Sequence, residues 1–382
     1  MAFGISWFII PSIVSISRIK GLCDTPNSRT SHTRATPNLG GIAVFAGLII
    51  STVIFAGTNF VFELKYIICG LFIVFFIGIK DDILVIDPMK KLAGQILAAV
   101  LIAVFADIRI TDFYGLFGIH QLPYILSIVF TVFVFIVIIN GFNLIDGIDG
   151  LASGIGILTS SVFGIWFWMT GNIAYGVFSF SFAGALSAFF YFNVFGKEKK
   201  IFLGDTGSLV TGLVLGVLTC RFLQLELIAD GATVIQSAPA VAFGILIVPL
   251  FDTLRVFTLR ISQGKSPFIA DHQHTHHRLL QLGCTHLQAT LILISANLFF
   301  IVLSFLLQGI GIIWLTCTMI GLAGLMSYVL MIYAKARTKE SIDSEYFVVK
   351  VWKRINKNGR MIEKPQINKT LRSPSKIKTG LK

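Results

Sequence analysis

The sequence predicts an all-α protein: a polytopic bundle of membrane-spanning helices. Three observations carry that prediction. Of the 382 residues, 55% are hydrophobic and only 13% charged, with a mean hydropathy of +0.83, whereas soluble domains carry about 25% charged residues. The apolar residues gather into eleven stretches, each close to the roughly 20 residues that cross a hydrocarbon core. The basic residues also fall into alternate connecting loops, as the positive-inside bias requires.

The first stretch, 2–20, has no basic leader and no small-residue cleavage site, so it is expected to remain as a helix. Stretches 40–58, 64–80, 92–108 and 122–142 follow. The next two, 151–170 and 172–195, share the turn Thr170-Gly171-Asn172. Then come 207–226, 236–256, 287–307 and 310–333, the last two meeting at Gln308-Gly309. With the N-terminus outside, about 28 of the 31 Lys and Arg lie on the inside; only Lys65 and Arg109 lie outside, and Arg221 falls within a span. The net charge of +12 is then a membrane-topology signal, and nucleic acid is not an expected partner. Residues 1–334 form the membrane domain. Residues 335–382 form a basic cytoplasmic tail, either solvated or lying on the anionic leaflet. The five cysteines are scattered without a CxxC pair and suggest neither a disulfide framework nor a zinc site. Gly150/Gly154 and Gly212/Gly216 have the spacing of close helix packing.

Five polar clusters fall on the inside: 24–41, 80–95, 140–151, 202–208 and 266–280. Asp81 and Asp82 are adjacent, so on a helix they point about 100° apart and serve two contacts rather than one chelate. An acidic helix end matched by Lys80 explains them equally well. Lys91 and Gln95 are four apart and share a face, a candidate donor pair. In "NGFNLIDGIDGL", Asn140, Asn143, Asp146 and Asp149 are each three apart, so a continuing helix puts all four on one stripe facing the bundle. A Gly-terminated helix end explains one Asn and one Asp but not four polar groups. Hard oxygen donors in line suit a cation or a pyrophosphate–sugar ligand. "FLGDTGS" places Asp205 at a helix start, where anions are favoured and where an N-cap role explains it as well. "DHQHTHH" holds His272, His274, His276 and His277 but has no H-E-x-x-H and no nearby cysteine. Phosphate contacts, with Arg278, suit it better than zinc.

The ordered set "PNSRTSH…TPNLGG", "DD…KL..Q", "NGFNLIDGIDGL", "FLGDTGSL" and "HTHHRLL" resembles the polyprenyl-phosphate N-acetylhexosamine-1-phosphate transferases over residues 1–330. The basic tail has no counterpart in that resemblance. The resemblance implies attack of a polyprenyl phosphate on the β-phosphorus of a UDP-N-acetylhexosamine, with UMP leaving. It implies Asp81, Asp82, Asp146, Asp149, His276 and His277 as catalytic groups. Asn143, Asn193, Phe202, Gly204, His274, Arg278 and Lys91 would contact substrate, Phe202 by stacking on uracil. Asp205 would hold Mg²⁺ with Asn143 as a second ligand, Mn²⁺ being a substitute.

A phosphate monoester has its second pKa near 6, so the nucleophile hardly needs a base. Direct in-line displacement is therefore expected, with Asp82 or Asp81 orienting the lipid phosphate or taking its residual proton. A covalent aspartyl-phosphate is the alternative. "HTHHRLL" resembles the branch that uses UDP-GlcNAc or a related simple hexosamine, the peptidoglycan translocase branch being the alternative. Expected partners are the UDP-sugar, the lipid phosphate and the membrane, with a second copy of the chain as a further candidate. The expected location is the inner (plasma) membrane, multi-pass, and the product starts a cell-envelope polysaccharide. A lipid or sugar transporter is the competing class. It would place polar groups near mid-membrane on broken helices, a pattern weak in this sequence.

The charge distribution predicts that a reporter fused after residue 334 is active only on the cytoplasmic side. A C-terminal reporter active only outside would reverse the topology and move the polar loops with it.

Overall fold

The computed structural model describes residues 1–24, 35–57, 61–227, 234–264 and 274–356. Thirteen helices carry the fold: α1 (Ala2–Lys20), α2 (Gly40–Phe55), α3 (Val61–Leu84), α4 (Pro88–Phe105), α5 (Tyr124–Ile145), α6 (Leu151–Met169), α7 (Ile173–Phe195), α8 (Gly204–Glu226), α9 (Ala238–Ile245), α10 (Ile247–Ser262), α11 (Thr275–Gln281), α12 (His286–Leu306) and α13 (Ile312–Asn356). One antiparallel pair of two-residue strands, β1 (Cys23–Asp24) and β2 (Thr36–Pro37), flanks the first polar loop. The chain divides into two compact units, Met1–Ser327 and Tyr328–Lys382. In the second unit, α13 continues as helix through Asn356.

Every expected apolar stretch becomes helical. Among the described residues, nine helices are long and apolar enough to cross a membrane. The other two stretches differ from expectation. The helix at 40–58 is shorter, the 16 residues of α2. The stretch 236–256 is not one straight helix: α9 and α10 meet at Leu246 with an 84° bend. Pro249 has no N–H to donate into the turn behind it. The groups freed at the bend are then satisfied from α12, where the Asn297 side chain accepts from Val248 N (3.2 Å) and donates to the Ile245 carbonyl (3.0 Å).

Local signals set several helix ends. Asp87 caps α4 by accepting from Met89 N, with Pro88 in the first turn. Thr285 and Gln288 close a capping box on α12. α5 stops at Ile145, so Asn140, Asn143, Asp146 and Asp149 do not form the continuous stripe the spacing suggested. The last two lie on a turn that leaves the helix axis.

α8 is the pole of the bundle, buried along nearly its whole length. Small residues let its neighbours approach. A methyl group on Gly41 of α2 would lie 2.2 Å from Gly207 N, and one on Gly78 of α3 would lie 2.3 Å from Thr206 Cα. Such close backbone contact is how helices associate where lipid removes the hydrophobic drive. It also brings the polar end of α3 against the start of α8. At the far end of α8, Arg221 does not face lipid. It pairs with Glu63 (3.2 Å) and lies over the Tyr175 ring, 5.0 Å from its centroid.

Gly78→Ala should therefore push α3 from α8. Overpacking of this kind costs about 1–3 kcal/mol. A lowered thermal midpoint in detergent is expected; a midpoint equal to the parent's would mean the seam has slack that the distances exclude.

Candidate active site

The ends of α3, α5, α4 and α8 converge: two C-termini and two N-termini. Asp82 is the link between α3 and α8. Its Oδ1 accepts from Asp205 N (2.7 Å), and its Oδ2 accepts from Thr206 N (3.0 Å) and Thr206 Oγ1 (2.6 Å). The anion favoured at the α8 N-terminus is thus a carboxylate from another helix. Asp205 is not the N-cap; it lies in the first helical turn. Gly204 adopts φ +73, and a methyl there would lie 2.1 Å from the Asn38 carbonyl and 2.7 Å from both Asp82 oxygens. Its Cβ position is filled by protein contacts, so it serves the site by letting Asp82 close on α8. Asn38, from the "TPNLGG" loop, donates to the Asp82 carbonyl (3.1 Å).

Asp81 points elsewhere. Its Oδ1 accepts from Ile86 N (2.8 Å), and its Oδ2 pairs with Lys91 Nζ (2.9 Å). Lys91 also reaches Asp205 Oδ1 (2.5 Å). Asn143 donates to the same oxygen (2.5 Å) and to Ser208 Oγ (2.9 Å). So four of the predicted residues, Asp81, Lys91, Asn143 and Asp205, form one connected polar group. Gln95 does not join Lys91 as a donor: it is buried and accepts from Asn140 (2.9 Å).

Asp146, just past α5, has no hydrogen-bond or ion-pair partner among the described residues. Burial, and then the charges of Asp205, Asp82 and Asp149, hold its carboxyl well above the usual range. Asp149 belongs to a second group. It accepts from Lys200 Nζ (2.6 Å) and His286 Nδ1 (3.1 Å). Burial alone would raise its carboxyl, but these two donors outweigh burial and hold it below the usual range. Lys200 Nζ also lies 5.6 Å from the centroid of Phe202. Asn193 is buried, and both ends of its amide are engaged with backbone: Oδ1 accepts from Gly150 N (2.6 Å) and Nδ2 donates to the Ile201 carbonyl (2.8 Å). It ties the 146–150 turn to the loop carrying Phe202. Those bonds give it a positioning role.

The histidine loop is described from His274; His272 lies outside the described residues, as does most of the 24–41 loop. His274 is buried, with Nδ1 2.8 Å from Asp252 Oδ2. Thr275 N (3.0 Å), Thr275 Oγ1 (2.5 Å) and Arg255 (2.8 Å) all donate to Asp252 Oδ1. His274 is thus a strut held through Nδ1 by Asp252. Its ring stacks at 5.7 Å on His276, whose ring is 4.3 Å from His277. His276 Nε2 is buried without a partner among the described residues, and a methyl on Gly147 would lie 2.5 Å from it. Burial, then the neighbouring His277, pushes His276 down to about 3. The ring is therefore a neutral imidazole at physiological pH, whose N–H can still donate to an anionic oxygen. Arg278 donates to the Ser327 carbonyl (3.3 Å).

The sequence reading missed Asp252, Lys200 and His286. An aspartate inside the apolar stretch 236–256, with Arg255 three residues on, was a usable signal, since intramembrane charges are usually paired and functional. Lys200 was counted only as topology, and His286 lies outside any motif.

Oxygen donors suited to a hard divalent cation are present: Asp205, the most exposed carboxylate of the Lys91 group at 32%, Asn143 and Asp146. Two carboxylates, Asp81 and Asp205, share one ammonium, Lys91. Among the described residues no three carboxylate, imidazole or thiol groups form a closed cage.

The profile of glycosyl transferase family 4 matches residues 64–222. The undecaprenyl-phosphate alpha-N-acetylglucosaminyl 1-phosphate transferase of Salmonella typhi is 30% identical over 298 residues, 76% of each chain. That of Escherichia coli K12 is 29% identical over 288 residues, 74% of this chain and 75% of its own. The decaprenyl-phosphate N-acetylglucosaminephosphotransferase of Mycolicibacterium smegmatis is 31% identical over 290 residues, 70% of this chain and 71% of its own.

His276 yields a pH prediction. Its folded-state pKa is lowered, so between about 3 and the ordinary 6.5 the unfolded chain binds the extra proton. Stability should rise with pH across that window and be fully present above it. From pH 5 to 6.5 the gain is about 2 kcal/mol at about 1.36 kcal/mol per unit. The rise in thermal midpoint from pH 5 to 7 should shrink in His276→Gln; an unchanged slope would assign it to other groups.

Proposed function

We propose that this chain, which belongs to glycosyl transferase family 4, transfers N-acetylglucosamine 1-phosphate from its UDP-sugar to a polyprenyl phosphate in the membrane. An oxygen of the lipid phosphate attacks the β-phosphorus of the donor. The bond from that phosphorus to the bridging oxygen breaks, UMP leaves, and the lipid carries a new pyrophosphate. The observation that carries the reading is the junction of Asp81, Lys91, Asn143 and Asp205, delivered by four helices to one end of a membrane bundle. A transporter reading is less well supported: the broken helix α9–α10 is bridged by Asn297, and the carboxylates cluster at helix ends.

Within this reading the carboxylates have separate tasks. Asp82 holds α8 in register. Both its oxygens already accept from the start of α8, which commits it to holding that helix. The acceptor needs neither a base nor a protein nucleophile, because a phosphate monoester is mostly dianionic at neutral pH. Catalysis then rests on positioning and charge neutralisation. Lys91 supplies a cation to the phosphates. His276 supplies a neutral imidazole nitrogen near the Asp146–Gly147 turn, and the Asp252–His274 pair fixes that ring's neighbour. Asp205, Asn143 and Asp146 would hold Mg²⁺. When bound, Mg²⁺ neutralises pyrophosphate charge as UMP leaves. Phe202, with Asp149, Lys200 and His286 beside it, is the proposed nucleotide side of the site. We place the enzyme in the inner (plasma) membrane, with the polar loops facing the cytosolic UDP-sugar.

Purified protein should release UMP from UDP-GlcNAc only with a polyprenyl phosphate and a divalent cation, and Asp205→Asn should lose turnover. Normal UMP release by Asp205→Asn, or full activity in EDTA, would remove the cation from the reaction. Preference for another UDP-hexosamine in a donor panel would change the sugar but not the reaction.

A further inference from the structure

We infer that Lys91 is an exchangeable counter-ion that couples binding of the divalent cation to binding of a phosphate group. This rests on the reading above that Asp205 is a cation ligand. The Lys91 ammonium bridges Asp81 Oδ2 at 2.9 Å and Asp205 Oδ1 at 2.5 Å, and its side chain is 14% exposed. It is therefore the internal cation of a group of carboxylates, and it touches the very oxygen of Asp205 to which Asn143 also donates.

A divalent ion on Asp205 and an ammonium on the same oxygen are like charges within a few ångströms. They cannot both keep that contact at low cost, because repulsion at such range is strong wherever water is partly excluded. Lys91 has a second anchor. Asp81 is itself fixed by Ile86 N at 2.8 Å, so release from Asp205 leaves the lysine tethered at the site rather than free in solvent. Its freed N–H then faces the space beside Asp205. A phosphate oxygen entering there would take it, as a charge-assisted bond.

The consequence is a linkage. Without a phosphate ligand, Lys91 competes with the cation and weakens it. With a phosphate to accept the lysine, the competition is lifted, and the cation and the phosphate favour one another by the same factor. The chain would then hold its cation tightly only when there is a substrate for it to serve. Neither proton transfer nor a covalent step is involved; one ion pair is exchanged for another.

The test is Mn²⁺ binding measured by electron paramagnetic resonance on the purified full chain in detergent, with no turnover needed. A single nearby charge shifts an ionic equilibrium by about ten- to a thousandfold, so Lys91→Met should bind Mn²⁺ at least about tenfold more tightly than the parent. Adding a short-chain polyprenyl phosphate without a donor sugar should tighten Mn²⁺ in the parent and leave Lys91→Met nearly unchanged. Lys91→Arg, which keeps the charge, should stay close to the parent and so controls for folding. Equal or weaker Mn²⁺ binding in Lys91→Met, or tightening in Lys91→Met and Lys91→Arg alike, would overturn the exchange. Asp205→Asn separates this from failure of the underlying reading: Mn²⁺ affinity equal to the parent's in that variant would show that Asp205 is not a ligand at all.

Discussion

The site depends on one interaction, the Asp82 carboxylate at the N-terminus of α8. A helix start presents unsatisfied N–H groups and a partial positive charge, and here both are met by an anion from another helix. The bond fixes α8 axially against α3, and the small residues Gly78 and Gly41 fix the separation. Asp205 follows from that geometry. As the second helical residue it projects from the capped end toward α4 and α5, where Lys91 and Asn143 reach it. The neighbouring Asp81, on the other side of the helix, is left to hold Lys91. Two adjacent aspartates thus do different work because the helix turns about 100° between them.

The same constraint divides the chemistry. A carboxylate with three donors from one helix start is an anchor. The less committed groups are Asp146, the carbonyl of Asn143 and the buried Nε2 of His276. They gather around the turn that begins where α5 ends. An active site built at helix ends has this advantage: backbone groups and short side chains can be aimed at one point while the helices themselves stay in the membrane. The Asp149 group sits on the other limb of that turn, joined to it through Asn193 and Gly150, and so the cation side and the aromatic side of the site are set by one short segment.

Much of this was readable in the sequence because membrane helices leave simple signatures. All eleven apolar stretches became helical, and four predicted residues met at one junction. What could not be read was the hydrogen-bond direction of individual polar groups. Periodicity put Asn140, Asn143, Asp146 and Asp149 on one stripe, but it could not say that the helix ends at Ile145. Motif matching marked Asn193, Gly204 and His274, yet their backbone and carboxylate partners lie 8, 122 and 22 residues away, beyond local pattern. The bend at Leu246 depends on Asn297 from another helix, and composition reports only that the segment is apolar. Asp252 was legible in principle, as a charge inside a span, and was passed over because it belongs to no motif.

The central claim is that Asp82 is an anchor and that the sugar phosphate passes directly between substrates. Isotope exchange tests it most directly. Labelled UMP is incubated with unlabelled UDP-GlcNAc, enzyme and Mg²⁺, and no polyprenyl phosphate is added. The account predicts no label in the UDP-sugar, since without an acceptor there is nothing to take the sugar phosphate. Label appearing in UDP-GlcNAc would require a phospho-sugar held covalently on the protein, and would contradict it.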